Sequence, residues 1–346
     1  MGALFEVKDI DRRVYEEELK LFLPGKIIDI HTHVWIDSLK KHTDKEFNRV
    51  VKWPALVAKD NSVEDLTDTY RLMFPGKSVT PLMFSLVTRE EDFDSLNNYV
   101  RDSAARYRYP ALLFTPPWWR GEEMEQRIIQ GGFKGIKVYL NLAPEYIPVG
   151  EIRIFDFLPH HQLEVINRHR WIVMLHIPRN DRLNDPVNLA QMLEIERKYP
   201  DVRLIIAHVG RAYCPEDVGH AFEVLSETQQ MMFDFAANTN DYVFTKLIQA
   251  VGPKRILFGS DLPILRMRMR RVCEGGNYVN LVPRGLYGDV SGDKNMRAVE
   301  GEEAEKLTFF MYEELLAFKK AAVATGLTKK DIEDIFYNNA CSLIYN

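Results

Sequence analysis

His31 and His33 stand one residue apart at the end of the run Lys26-Ile27-Ile28-Asp29-Ile30-His31-Thr32-His33-Val34. Alternate side chains of an extended strand share a face. The spacing therefore projects two imidazoles together and predicts that Ile28 and Ile30 turn the other way into apolar packing. Two imidazoles make half a metal site, because a zinc-like ion takes about four nitrogen or carboxylate oxygen donors. The missing donors must come from other strands that end in His or Asp. Three apolar runs qualify, over residues 171–176, 202–208 and 255–261, ending in His176, His208 and Asp261. His176 is in phase with Met174 and Ile172, and His208 with Ile206 and Leu204, so one parity of each strand is expected to face a common interior. Any one of these histidines could be a hydrogen-bonded core residue. Five such groups at strand ends point to a cation that activates water or polarises a carbonyl.

The chain around them alternates strand-like and helix-like segments. Strands are predicted over residues 26–34, 79–87, 111–114, 134–140, 171–176, 202–208, 231–236 and 255–261. Helices are predicted over 62–74, 91–108, 122–130, 156–169, 185–198, 215–228 and 241–251. Eight near-continuous apolar strands alternating with helices give a (β/α)8 TIM barrel, whose C-terminal strand ends meet around one mouth. A charged N-terminal helix precedes Pro24-Gly25. A long connection follows strand 1 to about residue 61, of a length that fits a lid or binding loop. A Gly-, Arg- and Pro-rich loop follows strand 8 to about residue 298, and helices over 302–325 and 328–339 close the chain. No repeat or linker divides residues 1–346, which read as a single domain.

The 346 residues carry a net charge of -5, with 46% hydrophobic and 27% charged. That balance supplies a large core and argues against nucleic acid as partner, because phosphate binding concentrates Lys and Arg. No run is apolar enough to span a bilayer, and no leader pattern opens the chain. Cys214, Cys273 and Cys341 are odd in number and far apart, so no disulfide is expected and a reducing cytoplasm fits. A small-molecule substrate is the expected partner, without nucleic acid or membrane; a homo-oligomer is compatible with the sequence.

Arginines are expected near the mouth, since Arg179, Arg211 and Arg266 follow strands five, six and eight. Their forks match carboxylates, the alternative for any single one of them being a solvated loop residue. Trp35, Trp118 and Trp119 could wall a ring-shaped substrate or cover the barrel end. His42, His160, His161, His169 and His220 fall in loops or helices and read as surface or packing residues.

The segments Asp29-Ile30-His31-Thr32-His33, Gly135-Ile136-Lys137-Val138, Leu175-His176, Ile206-Ala207-His208-Val209-Gly210, Gly259-Ser260-Asp261-Leu262-Pro263 and Asn339-Ala340 resemble the amidohydrolase superfamily. Within it they resemble the amidohydrolase-related group of lactonases and nonoxidative decarboxylases. The resemblance implies one divalent ion, Zn2+ by preference, on His31, His33, His176 and Asp261. Asp261 would double as general base, and His208 would polarise substrate or handle a proton. Lys137, inward on strand four, would contact an anionic or polar substrate together with Arg179 and Arg211. In a binuclear variant Lys137 would be carboxylated and bridge two ions, with His208 on the second. A further alternative is a lysine neutralised inside the barrel by Asp29 or Asp234.

The leading expectation is hydrolysis of a lactone, ester or amide of a small polar or carboxylated molecule. The alternative is metal-dependent decarboxylation of an aromatic or enoic acid. Some decarboxylases of the group replace the first histidine of the pair with Glu, and His31 here favours hydrolysis or the subset of decarboxylases with both histidines. A ligand-binding barrel without activity fits less well, because His208 and Asp261 together flank an open position.

Overall fold

The computed structural model describes residues 4–41 and 53–346, so His42 and much of the connection after strand 1 lie outside the described residues. Eight parallel strands form the centre: β1 (Lys26–His33), β2 (Ser78–Phe84), β3 (Leu113–Phe114), β4 (Gly135–Val138), β5 (Ile172–Leu175), β6 (Arg203–Ile206), β7 (Met232–Asp234) and β8 (Ile256–Leu257). β3 to β8 pair in sequence order and β1 pairs with β2. Two seams join these arcs. Leu112 N–H donates to Met83 O on one side; on the other, Ile30 N–H donates to Phe258 O, Asp261 N–H to His31 O and His33 N–H to Leu262 O. The sheet is thus a closed (β/α)8 barrel.

Ile28, Ile30, Leu82, Phe84, Met174, Ile205 and Leu257 fill its interior, floored by Ala340 and Ile344 of the helix Asn339–Tyr345. Ile27, Ile136, Val138, Leu175 and Ile206 pack outward under the helices. Burial on both faces accounts for the unbroken apolar strand sequences. Asn339 pins the last helix to β8, its Nδ2 donating to Pro253 O and Ile256 O at 2.8 and 2.9 Å.

Two parity expectations fail, for backbone reasons. Ile28 and Ile30 do not oppose the histidines; they line the same interior. The pairing of β1 with β2 slips between Asp29 and Thr32. This β-bulge switches the inward parity from Ile28 and Ile30 below it to His31 and His33 above. On β6 the inward residues are Ile205 and Ala207 rather than Leu204 and Ile206. His208 reaches the mouth because the strand stops at Ile206 and the chain runs left-handed, with φ of 58°, 50°, 60° and 59° at His208, Val209, Gly210 and Arg211.

The segment predicted as a loop after strand 8 contains a small sheet. β9 (Arg270–Glu274) pairs antiparallel with β10 (Asn277–Pro283), which pairs parallel with β11 (Met296–Val299). One face of it forms an apolar cluster of its own from Val279, Leu281, Val299 and Leu307. The closing helices are broken into Gly301–Glu305 and Phe310–Ala324, then Lys329–Glu333 and Asn339–Tyr345 joined by a π-turn. The N-terminal helix is short, Asp9–Val14 followed by the π-turn Tyr15–Leu19.

The expectation of no disulfide is also overturned. Cys214 and Cys273, 59 residues apart, are bonded with their Cα atoms 5.8 Å apart. Cys341 alone is free. The fold, not the spacing, brings the hairpin β9–β10 against the loop after β6.

Candidate metal centre

The bulge in β1 sets His31 and His33 side by side at the barrel mouth, their rings 5.5 Å apart, with His208 4.8 Å from His31. Each of the three rings has one nitrogen committed to the scaffold. His31 Nδ1 lies 2.9 Å from Asp234 Oδ2, His33 Nδ1 lies 3.3 Å from Ser85 O, and His208 Nδ1 lies 2.8 Å from Ala236 O. A carbonyl only accepts, so Nδ1 of His33 and His208 carries the proton and Nε2 is left as a lone pair. The carboxylate of Asp234 imposes the same tautomer on His31. This is how a protein presents imidazole ligands: the outer partner fixes ring and tautomer.

Asp261 completes the set from the end of β8, its Oδ1 3.2 Å from His33 Nε2 and 3.4 Å from His31 Nε2. The ligand atoms of His31, His208 and Asp261 all lie within 4.8 Å of one another. His208, expected beside the ion, therefore belongs to the tightest group among the described residues. His176 lines the same pocket with its ring 5.2 Å from that of His208. Its Nδ1 is buried without a hydrogen-bond partner, as an imidazole awaiting an electrophile would be.

The electrostatics suit a cation. Burial lowers the pKa of all four histidines, helped by the charge of Lys137 at His31 and of Arg211 at His176. That of His208 falls to about 4. They are neutral at pH 7, as ligands must be. Burial opposes the charge of Asp261, and only a proton on His33 Nε2 and charge on His208 and His31 would hold its carboxyl well below the usual range; with these rings neutral and their lone pairs facing it, a divalent ion would take that role. Neutral imidazoles around an ionised carboxylate, with a spare ring nitrogen, fit a divalent ion.

Two acidic residues serve as supports. Asp234 Oδ1 accepts from His208 N–H and Ala236 N–H, while Oδ2 orients His31. Asp29 ties β1 to β8 by accepting from His31 N–H and Ser260 N–H, and takes the Tyr70 hydroxyl at 2.8 Å. Burial, only partly offset by these bonds, pushes Asp29 up to about 7.

The pocket encloses about 840 Å³, its open mouth included, with Trp35, Trp53, Tyr139, Tyr213 and Tyr278 in its walls. Lys137, Arg211 and Arg271 also line it. Lys137 is fully buried with Nζ 5.0 Å over the Phe84 ring; burial lowers its pKa to about 8 against the fields of Asp234 and Asp261. Arg211 hangs from the carbonyls of Ile177, Pro178 and Arg179 by Nη1.

Arg179 is placed elsewhere. Its Nε donates to Asp185 at 2.9 Å, and it borders a separate surface pocket with Tyr146 and Arg153. Arg266 donates to Asn61 Oδ1 and is not in the pocket wall. Trp118 and Trp119 stack on Arg89 and Arg127 outside it. His160, His161, His169 and His220 are packing or surface residues, bonded to Tyr199, Trp119, Glu125 and Glu223. Sequence reasoning missed Arg271, Tyr213 and Tyr278, which no motif marks. It weighed Asp234 only as a counter-ion for Lys137, although its inward position on strand seven was available as a signal.

The family model described as Amidohydrolase matches residues 28–343. A search of curated proteins returns no match. Amidohydrolase 2 from Bifidobacterium longum subsp. infantis is similar at 16% identity and a TM-score of 0.53, covering 93% of this chain and 99% of its own. A probable 2-pyrone-4,6-dicarboxylic acid hydrolase from Acinetobacter baumannii, with citric acid bound, is similar at 13% identity and a TM-score of 0.55, covering 92% and 98%. A dihydroxybenzoic acid decarboxylase from Polaromonas sp. JS666, with bound manganese and 2-nitroresorcinol, is similar at 15% identity and a TM-score of 0.54, covering 93% and 97%.

Proposed function

This chain belongs to the amidohydrolase family, and on that premise we propose that it is a metal-dependent hydrolase opening a lactone, ester or amide of a small carboxylated molecule. The observation that carries the reading is Asp261 Oδ1 lying 3.4 and 3.2 Å from the Nε2 atoms of His31 and His33, in a mouth lined by three cations. His31, His33, His176 and Asp261 would hold one divalent ion, Zn2+ by preference, with His208 near enough to join them. A bound divalent ion supplies Lewis acidity, polarising a carbonyl and acidifying water.

The chain's own residues do the rest. Asp261 accepts a proton from the attacking water and returns it to the leaving group. His208 offers a lone pair at Nε2, because its Nδ1 proton is committed to Ala236 O, so it acts as ligand or proton acceptor rather than as donor to an oxyanion. Oxyanion stabilisation falls to Lys137, still mostly an ammonium at pH 7 with a pKa of about 8. Arg211 holds a substrate carboxylate, and the aromatic walls exclude water.

The binuclear alternative uses the same lysine, whose lowered pKa supplies the neutral amine that carboxylation needs. Residues 1–346 act as one catalytic domain in this reading; the cytoplasmic expectation leans on unpaired cysteines, and the Cys214–Cys273 bond removes that support. No helix among the described residues is long and apolar enough to cross a membrane. The decarboxylase alternative draws on the same cations, which could hold a carboxylate about to be lost. The test is a panel of lactones and aromatic acids assayed for proton release and carbon dioxide release. Metal-dependent proton release that disappears in Asp261→Asn is expected; carbon dioxide release from the acids with no lactone turnover would overturn the hydrolase reading.

A further inference from the structure

The hairpin β9–β10 lies outside the barrel, yet it supplies part of the pocket. Its register pairs Arg271 with Asn280 and Cys273 with Tyr278, so these four residues share one face, opposite Val272 and Val279. On that face Arg271 is buried among three rings, its guanidinium carbon 4.6 Å from Tyr213, 4.5 Å from Tyr278 and 4.7 Å from Phe310. Its Nε donates to Asn280 Oδ1 at 2.8 Å and Nη1 to Ala237 O at 2.5 Å. Among the described residues no carboxylate lies within ion-pair distance of Arg271; the field of Asp261 reaches it from across the pocket. Neighbouring arginines differ: Arg179, Arg182 and Arg268 are paired with Asp185, Asp217 and Asp11. A buried guanidinium without an acid is costly unless a ligand supplies one.

The disulfide joins this hairpin to the loop after β6, one residue beyond Tyr213. That loop is held independently, because Asp217 accepts from Tyr213 N–H and Cys214 N–H and binds Arg182. The hairpin is tied by Arg271 to Ala237 O and by β10 to β11, so the freedom gained when the bond is cut falls on the stretch around Cys273 and Tyr278 that presses Arg271 into the wall. Cys214 is fully buried, whereas Cys273 is exposed.

We propose that the Cys214–Cys273 disulfide is a thiol-sensitive clamp holding Arg271 and Tyr278 in the pocket wall, so that reduction weakens binding of a carboxylate-bearing ligand while the metal-binding residues stay in place. The proposal rests on the carboxylated-substrate reading above. The reductant is a small dithiol. One thiolate attacks Sγ of Cys273, the exposed residue of the pair, and Cys214 leaves as a thiolate and is protonated. The second thiol then displaces Cys273 from the mixed disulfide, so the protein gains two thiols as the dithiol becomes a disulfide.

The test measures citrate binding to the zinc-loaded full chain by calorimetry, with trimethyl citrate as the uncharged control. Oxidised protein is compared with protein reduced by tris(hydroxypropyl)phosphine, which carries no carboxylate, and with Cys273→Ser. Thiol titration confirms reduction, and elemental analysis follows zinc. Reduction and Cys273→Ser are each expected to weaken citrate binding about tenfold, with zinc unchanged and faster amide exchange over residues 270–283. Arg271→Gln binds weakly in both redox states, while Arg211→Gln keeps the redox dependence. Equal citrate affinity before and after titratable reduction overturns the clamp alone. Failure of oxidised protein to bind citrate in preference to its ester overturns the carboxylate reading and the clamp with it. Should Cys273→Ser fail to fold, the comparison of oxidised with reduced parent protein still separates these outcomes.

Discussion

At the barrel rim three of the four imidazoles that face the pocket are already oriented by the scaffold: His31 by Asp234, His33 by Ser85 O and His208 by Ala236 O. Along the pocket wall, Arg271 of the inserted hairpin and Arg211 of the run after β6 are held by carbonyls, an amide and aromatic faces, without an ion-paired acid among the described residues. The rim is built on strand ends that a bulge and a left-handed turn aim inward. The wall is built on a hairpin fixed by its own small apolar cluster and one disulfide. Rigid strand ends suit chemistry that tolerates little displacement, whereas an appended wall can change the ligand chosen without disturbing the cage.

That contrast breaks most severely at Asp261. Asp261→Asn should lower kcat by about 10²–10⁴, the usual weight of a general acid–base group, and steady-state kinetics on any turned-over lactone would show it. His31→Ala should lose metal and turnover together. On the wall side the largest effect is on stability. Replacing both Cys214 and Cys273 by Ser opens a 59-residue loop, worth about 4 kcal/mol by chain entropy. Urea unfolding should register it while zinc content holds.

The next effect comes from proton linkage at the rim. The folded-state pKa of His208 lies near 4, below its usual 6.5. Between those values the unfolded chain binds the extra proton, so folding stability rises with pH there. The contribution is complete above about pH 6.5 and is lost as pH falls toward 4, on the order of 3 kcal/mol. Because Asp29, pushed up to about 7, acts with the opposite sign over the same window, the check is the difference in urea stability between metal-free parent and His208→Gln from pH 4 to 6.5; a difference that does not change with pH would detach His208 from the buried cage. Smaller still, Arg271→Gln should raise KM or Kd for a carboxylated ligand about 10–100-fold and leave metal content alone. Arg179→Gln, already paired with Asp185, should change both by less than about twofold, within the usual range of a peripheral substitution. Equal effects from the two arginines would erase the distinction between a pocket cation and a satisfied one.

The rim was largely legible in the sequence because its signals are local. An imidazole pair one residue apart, apolar runs ending in His176, His208 and Asp261, and an inward Lys137 can all be read within one strand. What was not legible depends on backbone detail or on contacts between distant segments. The bulge in β1 and the left-handed run after Ile206 reverse the parity that simple alternation assigns. Nothing local in residues 270–299 outweighs their arginines and glycines to announce a sheet. Cys214 and Cys273 become neighbours only when the hairpin docks, and Arg271 becomes a pocket residue through that same docking. Arg179 illustrates the reverse: its position after β5 suggested the mouth, and Asp185 six residues on claims it.

The most direct check is a count of divalent ions per chain in purified protein by elemental analysis, with His31→Ala alongside. We predict close to one zinc per chain in the parent and close to none in the variant. A count near two would replace the mononuclear assignment with a lysine-bridged pair at Lys137. No bound metal in the parent under metal-replete conditions would contradict the cage itself.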